Sequence, residues 1–326
     1  MTGAPTKIVF LDAATYGDMS LTRFTGLWHC TVHQVTAPEK TAERLTGHDI
    51  AVTNKVVLDE AILHSAAARD LKLIAVAATG TDIIDKNAAA QRGVKVCNVP
   101  GYATQSVAQF TMALILELAT RASRYARAVQ SGDWQNSPVF SLMTYPHVEL
   151  AGKKLGIIGY GNIGQAVAQM ARGFGMEILI SARPGSSAPF PRGRMSVSDL
   201  LAQSDIVSLH CPLTPETKNM INQQTLALMK PAAFLVNTAR GALIDEAALI
   251  DALRRKQIAG AALDVISKEP PPAGHPIPQA AAELNNLIVT PHTAWSARQA
   301  RERLLFEVKE NIVAFIAGRA RNLVRA

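Results

Sequence analysis

Residues 154–175 read KLGIIGYGNIGQAVAQMARGFG. An apolar run from Leu155 to Ile158 passes through Gly159, Gly161 and Gly164 into an Ala-rich stretch of helical period. That order describes a strand, a tight turn and a helix, and each glycine has its own reason. Gly159 permits the turn, Gly161 lets backbone approach a pyrophosphate, and Gly164 lets the helix pack on the strand. The amides of Asn162 and Ile163, at the helix start, then face the phosphates with the helix dipole behind them. A glycine-rich turn serving packing alone is the competing reading. The apolar run at 177–181, placed as a second strand after the helix, favours the dinucleotide site.

Outward from this unit, short β-branched runs alternate with helical patterns almost throughout. Downstream the pattern predicts strands at 205–209, 233–237, 259–264 and 286–290, with helices at 162–173 and 245–255. Upstream it predicts strands at 7–11, 30–35, 49–53, 71–77 and 94–98, with Ala-rich helical segments at 61–68 and 86–92. Pro100 and Gly101 open a long helix running to about Gly132, followed by an irregular connection over 133–149. EPPPAGHPIP, 269–278, reads as a stiff loop, and Ser296 to Gly318 as one amphipathic helix. The fold class is α/β, with two doubly wound parallel sheets.

The bulk properties narrow the function. The chain has 326 residues, enough for two domains, with 48% hydrophobic and 18% charged residues. A net charge of +7 suits phosphate or carboxylate ligands, but there is no dense Lys/Arg block, so nucleic acid is not expected as a partner. Arg298, Arg301 and Arg303 read as a solvated helix face, and Arg319, Arg321 and Arg325 as a frayed tail. Cys30, Cys97 and Cys211 follow no metal-binding spacing; no metal is expected, and reduced thiols fit a cytoplasmic protein. The N-terminus has no signal-peptide core, and AQFTMALILELAT is too short to span a bilayer, so no membrane partner is expected.

Three later segments carry reactive side chains just beyond strand ends, where open α/β sheets bind ligands. LVNTARGALIDEAALIDAL holds Arg240, AALDVISKEPPP holds Asp264 and Glu269, and LIVTPHTAWSA holds His292. Singly, these residues also read as a surface ion pair, a solvated acid and a core histidine. Together, with ATGTDIIDKNAAAQRGVKVCNVPG and HCPLTPETKNMIN in the same order, the chain resembles the D-isomer-specific 2-hydroxyacid dehydrogenases over essentially its whole length.

The resemblance implies a Rossmann-type NAD(P)-binding domain, 101–290, inserted into a flavodoxin-like substrate domain made of 1–100 and 291–326. It implies hinges near 100–104 and 290, and a homodimer held through the cofactor domain and its long first helix. His292 is the implied proton donor to the ketone of a small 2-oxo acid, and accepts the proton back from the 2-hydroxy acid. Glu269 orients the ring and favours its protonated form, which favours reduction at neutral pH or below. Arg240 grips the carboxylate and polarises the carbonyl. The substrate set is completed by Asn54, Ala78 and the amides of Thr79 and Gly80, with Trp295 as a pocket wall or, equally, a core residue. Thr104, His210, Cys211, Pro212, Thr217, Thr238 and Ala239 match cofactor-lining positions. Asp264 matches the contact to the nicotinamide amide, with a buried structural acid as its rival. The chain departs from many relatives in having Gln109-Phe110 where they place Glu-His, away from the reacting groups.

AVTNKVVLDEAIL, SARPG and PHTAWSARQARERL look most like the glycerate dehydrogenase or hydroxypyruvate reductase branch. The expected reaction is NAD(P)H-dependent reduction of hydroxypyruvate to D-glycerate, with glyoxylate to glycolate beside it. A broad-specificity 2-oxo acid reductase and a non-enzymatic dinucleotide-sensing regulator of the same fold are the alternatives. In GMEILISARPG, Ala182 stands where NAD-specific relatives carry an Asp that would repel a 2′-phosphate. Ser181 and Arg183 offer a hydroxyl and a cation instead, which favours NADP, with NAD the alternative.

Overall fold

The computed structural model describes residues 6–325. By internal packing the chain forms two units, one running to Ala103 and resuming at Ser296, the other spanning Thr104–Trp295. Both crossings fall slightly later in the chain than the sequence reading placed them. His292 and Trp295 therefore belong to the second unit, whose strand ends hold them.

The first unit contains β1 (Lys7–Phe10), β2 (His29–Val32), β3 (Ile50–Thr53), β4 (Leu73–Val76) and β5 (Lys95–Cys97), all parallel, in the order β2-β1-β3-β4-β5. β3 and β4 are buried at every position, as expected of central strands covered on both faces. The helix Arg298–Ile316 packs on β4, which returns the C-terminal segment to this unit. The tail beyond it is not frayed. Val324 N donates to Val96 O at 2.8 Å, and Arg321 bonds Glu307 at 2.7 Å and Asn311 at 3.1 Å. Nor is Arg301 part of a solvated face, because its guanidinium donates to Tyr16 O and Asp18. Arg303 likewise donates to Tyr102 O.

The second unit contains β6 (Lys154–Ile158), β7 (Glu177–Ile180), β8 (Ile206–Leu209), β9 (Phe234–Asn237), β10 (Gly260–Leu263) and β11 (Leu287–Val289). They too are all parallel, in the order β11-β10-β9-β8-β6-β7. The order reverses between β6 and β8, so the turn after β6 opens at the switch point where such sheets bind ligands. The long helix predicted to reach Gly132 is two helices, Thr104–Thr120 and Ala122–Gln130. Arg121 between them is left-handed at φ 57°, a break that no Gly or Pro announces. The Pro-rich stretch is only partly a loop: His275 caps a helix Pro276–Glu283, whose first-turn prolines lack N–H groups that the helix does not use there.

Two apolar clusters cover the faces of this sheet. Ile115 and Leu118 of helix Thr104–Thr120 meet Val167 of helix Asn162–Gly173 and Ile157 of β6 on one face. Leu200, Leu235, Leu249 and Ile277 fill the other. Ile157 is fully buried and central. Ile157→Ala is expected to lower the unfolding free energy by about 2–5 kcal/mol, read from urea or guanidinium titration.

Candidate active site

Gly159 ends β6 at φ 96°, and a Cβ there would overlap the backbone of His210 and Cys211. The loops after β6 and β8 approach each other at this point with no room for any side chain. Gly164 has a similar constraint, since its Cβ would overlap Gly159 O. Gly161, by contrast, faces open space and starts helix Asn162–Gly173 with no side-chain cap. The helices starting at Val197, Gln223 and Glu246 are capped by Ser196, Asn222 and Asp245. An uncapped helix start, reached over a glycine with clear space, fits a pyrophosphate.

Around this loop, Cys211, Pro212, Thr217 and Arg183 line a cavity of ≈ 350 Å³ together with Gly185 and Glu216. Thr217 Oγ1 donates to Pro212 O at 2.8 Å, which closes the 212–217 turn. His210 Nε2 lies 2.9 Å from Ser208 Oγ, and burial pushes its imidazole down to about 4. It is neutral at physiological pH. At the end of β7, Ala182 is buried and Arg183 exposed, while Ser181 Oγ is enclosed without a hydrogen-bond partner.

Beyond β9, Asn237 organises the Arg240 turn. Its Nδ2 donates to Arg240 O at 2.8 Å and its Oδ1 accepts from Ala239 N at 3.0 Å. Thr238 shares a 2.9 Å bond with Thr111 of the helix that begins at Thr104. Arg240 Nη1 donates to Ala239 O at 2.8 Å. A Cβ on Gly241 would overlap the Ile266 carbonyl, so this glycine lets the Arg240 turn lie directly on the loop that carries Glu269. Glu246 braces that loop from behind, accepting from Ser267 N at 2.6 Å and Ser267 Oγ at 2.9 Å.

His292 is held by the end of β10. Its N–H donates to Asp264 O at 2.7 Å. The Asp264 side chain, 1% exposed, accepts from Thr290 Oγ1 at 2.6 Å, Thr293 N at 3.0 Å and Ala294 N at 2.9 Å. Within this clamp His292 adopts φ 51°, a region a non-glycine residue enters only when its surroundings impose it. Its Nδ1 lies 2.5 Å from Glu269 Oε2, and Glu269 Oε1 accepts from Ile266 N at 2.9 Å. Trp295 Nε1 donates to His292 O at 3.0 Å, which ties the indole to the same turn. His292, Glu269 and Asp264 share a cavity of ≈ 390 Å³ with Pro270, Pro278 and Val289.

In the first unit, Thr79 and Gly80 follow β4. Thr79 Oγ1 donates to Val99 O at 2.8 Å, and Asn98 Nδ2 donates to Thr79 O at 2.7 Å. Ala78 O accepts from Val99 N at 2.9 Å. Asn54 follows β3 and is buried; its N–H is held by the Asp12 carboxylate and its Nδ2 is enclosed without a partner. The positioning residues Asp12, Asn98, Asn237, Gly241 and Glu246 escaped the sequence reading. The available signal was a lone polar residue at or just beyond the end of an apolar strand, as at Asp12, Asn98 and Asn237. No cluster of three or more His, Cys, Asp or Glu among the described residues could hold a metal ion, and no helix among them is long and apolar enough to cross a membrane.

The sequence profile described as D-isomer specific 2-hydroxyacid dehydrogenase, NAD binding domain, matches residues 112–294. The chain belongs to the D-isomer-specific 2-hydroxyacid dehydrogenases. It is 42% identical to a glycerate dehydrogenase of Methylorubrum extorquens, over 98% of this chain and 99% of the relative. It is 36% identical to a hydroxypyruvate reductase of Blautia hydrogenotrophica, over 98% and 99%. Among solved structures, an acyclic imino acid reductase in complex with NADPH and D-Arg aligns at a TM-score of 0.85 with 29% identity, over 98% of this chain and 100% of that one. As a member of this family the protein is an NAD(P)-dependent oxidoreductase.

The poorly solvated imidazole of His210 sets an acid limit on stability. Folded, it titrates near 4; unfolded, near the ordinary 6.5. Its contribution is complete above the unfolded value and declines as pH falls from there toward 4, because only the unfolded chain then takes up the proton. His210→Asn is expected to lose less melting temperature than the parent between pH 7 and pH 5. Parallel losses in the two proteins would refute this assignment.

Proposed function

We propose that the enzyme reduces hydroxypyruvate to D-glycerate, prefers NADPH to NADH, and accepts glyoxylate as a smaller second substrate. The observation that carries the reading is the 2.5 Å pairing of His292 Nδ1 with Glu269, on a turn fixed by Asp264. With Nδ1 engaged, Nε2 is the ring nitrogen left to hand a proton to a ketone oxygen. About a quarter of each side chain remains exposed, so the pair is reachable from solvent.

When bound, the reduced nicotinamide supplies the hydride that goes to C2 of the oxo acid. The residues of this chain do the rest. His292 gives its proton to the oxygen as negative charge develops there, so one hydride and one proton turn the ketone into an alcohol. Glu269 holds the ring in the orientation that presents Nε2. Arg240 offers a planar fork to the substrate carboxylate. In this reading the amides of Thr79 and Gly80, the Ala78 loop and an Asn54 donor are the substrate contacts of the first unit, and Trp295 walls the pocket of the second. The close relationship to a glycerate dehydrogenase and a hydroxypyruvate reductase over nearly full length supports the choice of substrate.

On the cofactor, Ala182 removes the acid that would repel a 2′-phosphate, and the imino acid reductase of similar fold, solved in complex with NADPH, supports the choice. We assign the working form as a homodimer in the cytoplasm. The free cysteines Cys30, Cys97 and Cys211 suit a compartment that keeps thiols reduced.

A kinetic panel of hydroxypyruvate, glyoxylate, pyruvate and phenylpyruvate with each cofactor tests the reading. Hydroxypyruvate with NADPH is expected to give the highest kcat/KM. A value with NADH equal or higher overturns the cofactor assignment, and no turnover of any 2-oxo acid overturns the enzyme. His292→Ala is expected to lose about 10²–10⁴-fold in kcat with dinucleotide binding retained. Near-normal turnover in that variant removes the proton-donor role.

A further inference from the structure

We propose that Arg194, a residue outside every motif above, is the principal cation recognising the 2′-phosphate of NADPH. The inference rests on the NADPH preference proposed above and names the group that enforces it. After the largely exposed 183–193 stretch, the chain returns to run beside the end of β7. Ala182 N donates to Met195 O at 2.7 Å and Met195 N to Ile180 O at 3.1 Å, which places a parallel bridge between Ser181 and Met195. Arg194 is thereby fixed against the strand end that, in this class of fold, lies beside the adenosine ribose.

Its side chain joins two elements of the dinucleotide site. Nη1 donates to Ser181 O at 3.1 Å, and the guanidinium lies 4.9 Å from the ring centroid of Tyr160. Tyr160 stands between Gly159 and Gly161, so the cation is anchored at once to the end of β7 and to the glycine loop. Stacking on the ring pre-orders the long side chain, so less freedom is lost on binding a phosphate. One N–H of the fork is used on Ser181 O, and the remaining donors suit phosphate oxygens.

Arg183, the residue the sequence suggests, is less well placed. It shares its cavity with Glu216. The Thr214 hydroxyl, and to a smaller degree the Arg183 charge, hold the Glu216 carboxyl below the usual range. A phosphate beside Arg183 would meet that carboxylate as well. Arg194 forms no ion pair with any acid among the described residues, so its charge is not already neutralised. Ser181 Oγ is enclosed and Ala182 is nearly buried, which leaves Arg194 as the strongest donor group at this strand end.

The test is calorimetric titration of the full chain with 2′,5′-ADP and with 5′-ADP, which reads binding without turnover. The parent is expected to bind 2′,5′-ADP more tightly. Arg194→Ala and Arg194→Gln should each weaken 2′,5′-ADP about tenfold or more, and change 5′-ADP by less than about twofold. Arg183→Ala should lose less than either. If the parent does not discriminate between the two nucleotides, the NADPH reading itself falls and this inference with it. If the parent discriminates but the Arg194 variants discriminate equally well, or weaken both nucleotides alike, only the role of Arg194 is overturned.

Discussion

The candidate site depends on one buried carboxylate. Asp264, at the end of β10, is almost wholly removed from solvent, and an unpartnered charge there would cost several kcal/mol. The cost is offset by bonds from Thr290, Thr293 and Ala294, all on the turn that follows β11. Those bonds hold His292 in a left-handed backbone conformation that its own sequence does not favour. With the backbone fixed, the ring has a defined partner in Glu269, itself tied to Ile266 N. His292 is thus oriented by a strand of the scaffold and not by loop contacts alone. Of the nicotinamide contact and the structural acid weighed for Asp264, the bonds from Thr290, Thr293 and Ala294 supply the structural role, which is to hold the turn that carries His292.

The same device recurs in the first unit. Asp12, just beyond β1, accepts from the backbone of Asn54, Lys55 and Val56 beyond β3, and so sets the position of Asn54. Burial raises its carboxyl despite those donors, because the site is so poorly hydrated. At the opposite, entering ends of the strands, the two sheets again agree. Asp49 accepts from Lys7 N and Lys72 Nζ, and Asp205 from Lys154 N and Lys230 Nζ. Burial alone would raise both acids, but the N–H donors and ammonium groups outweigh it and hold them below the usual range. Each acid joins neighbouring strands of a parallel sheet, whose entering N–H groups have few partners of their own.

The central strands were legible because a strand buried on both faces must be a short apolar run, and β3, β4, β8 and β9 are such runs. The glycine loop was legible because three glycines at fixed spacing each serve a backbone requirement. The break at Arg121 was not, since a left-handed arginine is imposed by packing and leaves no mark in composition. The same holds for Arg301 and Arg303, which look like surface charges in sequence but bond groups distant in the chain. Ser181 shows the converse. Its residue type suits a phosphate, yet the pairing of β7 with Met195 encloses its hydroxyl and brings Arg194 forward.

The sequence by itself determined the fold class and the position of the dinucleotide loop, and put forward Arg240, Glu269 and His292 as candidates, because periodicity, glycine spacing and residue chemistry are local properties. Only the tertiary structure decided how those residues are held. The hydrogen bonds that Asp264 accepts from the 290–294 turn span about thirty positions in the chain. The closeness of Gly241 to Ile266 and of Gly159 to Cys211 exists only when separate strands lie side by side. Such contacts are set by the register of the sheet, a property of the whole assembly of strands that no single stretch of residues contains.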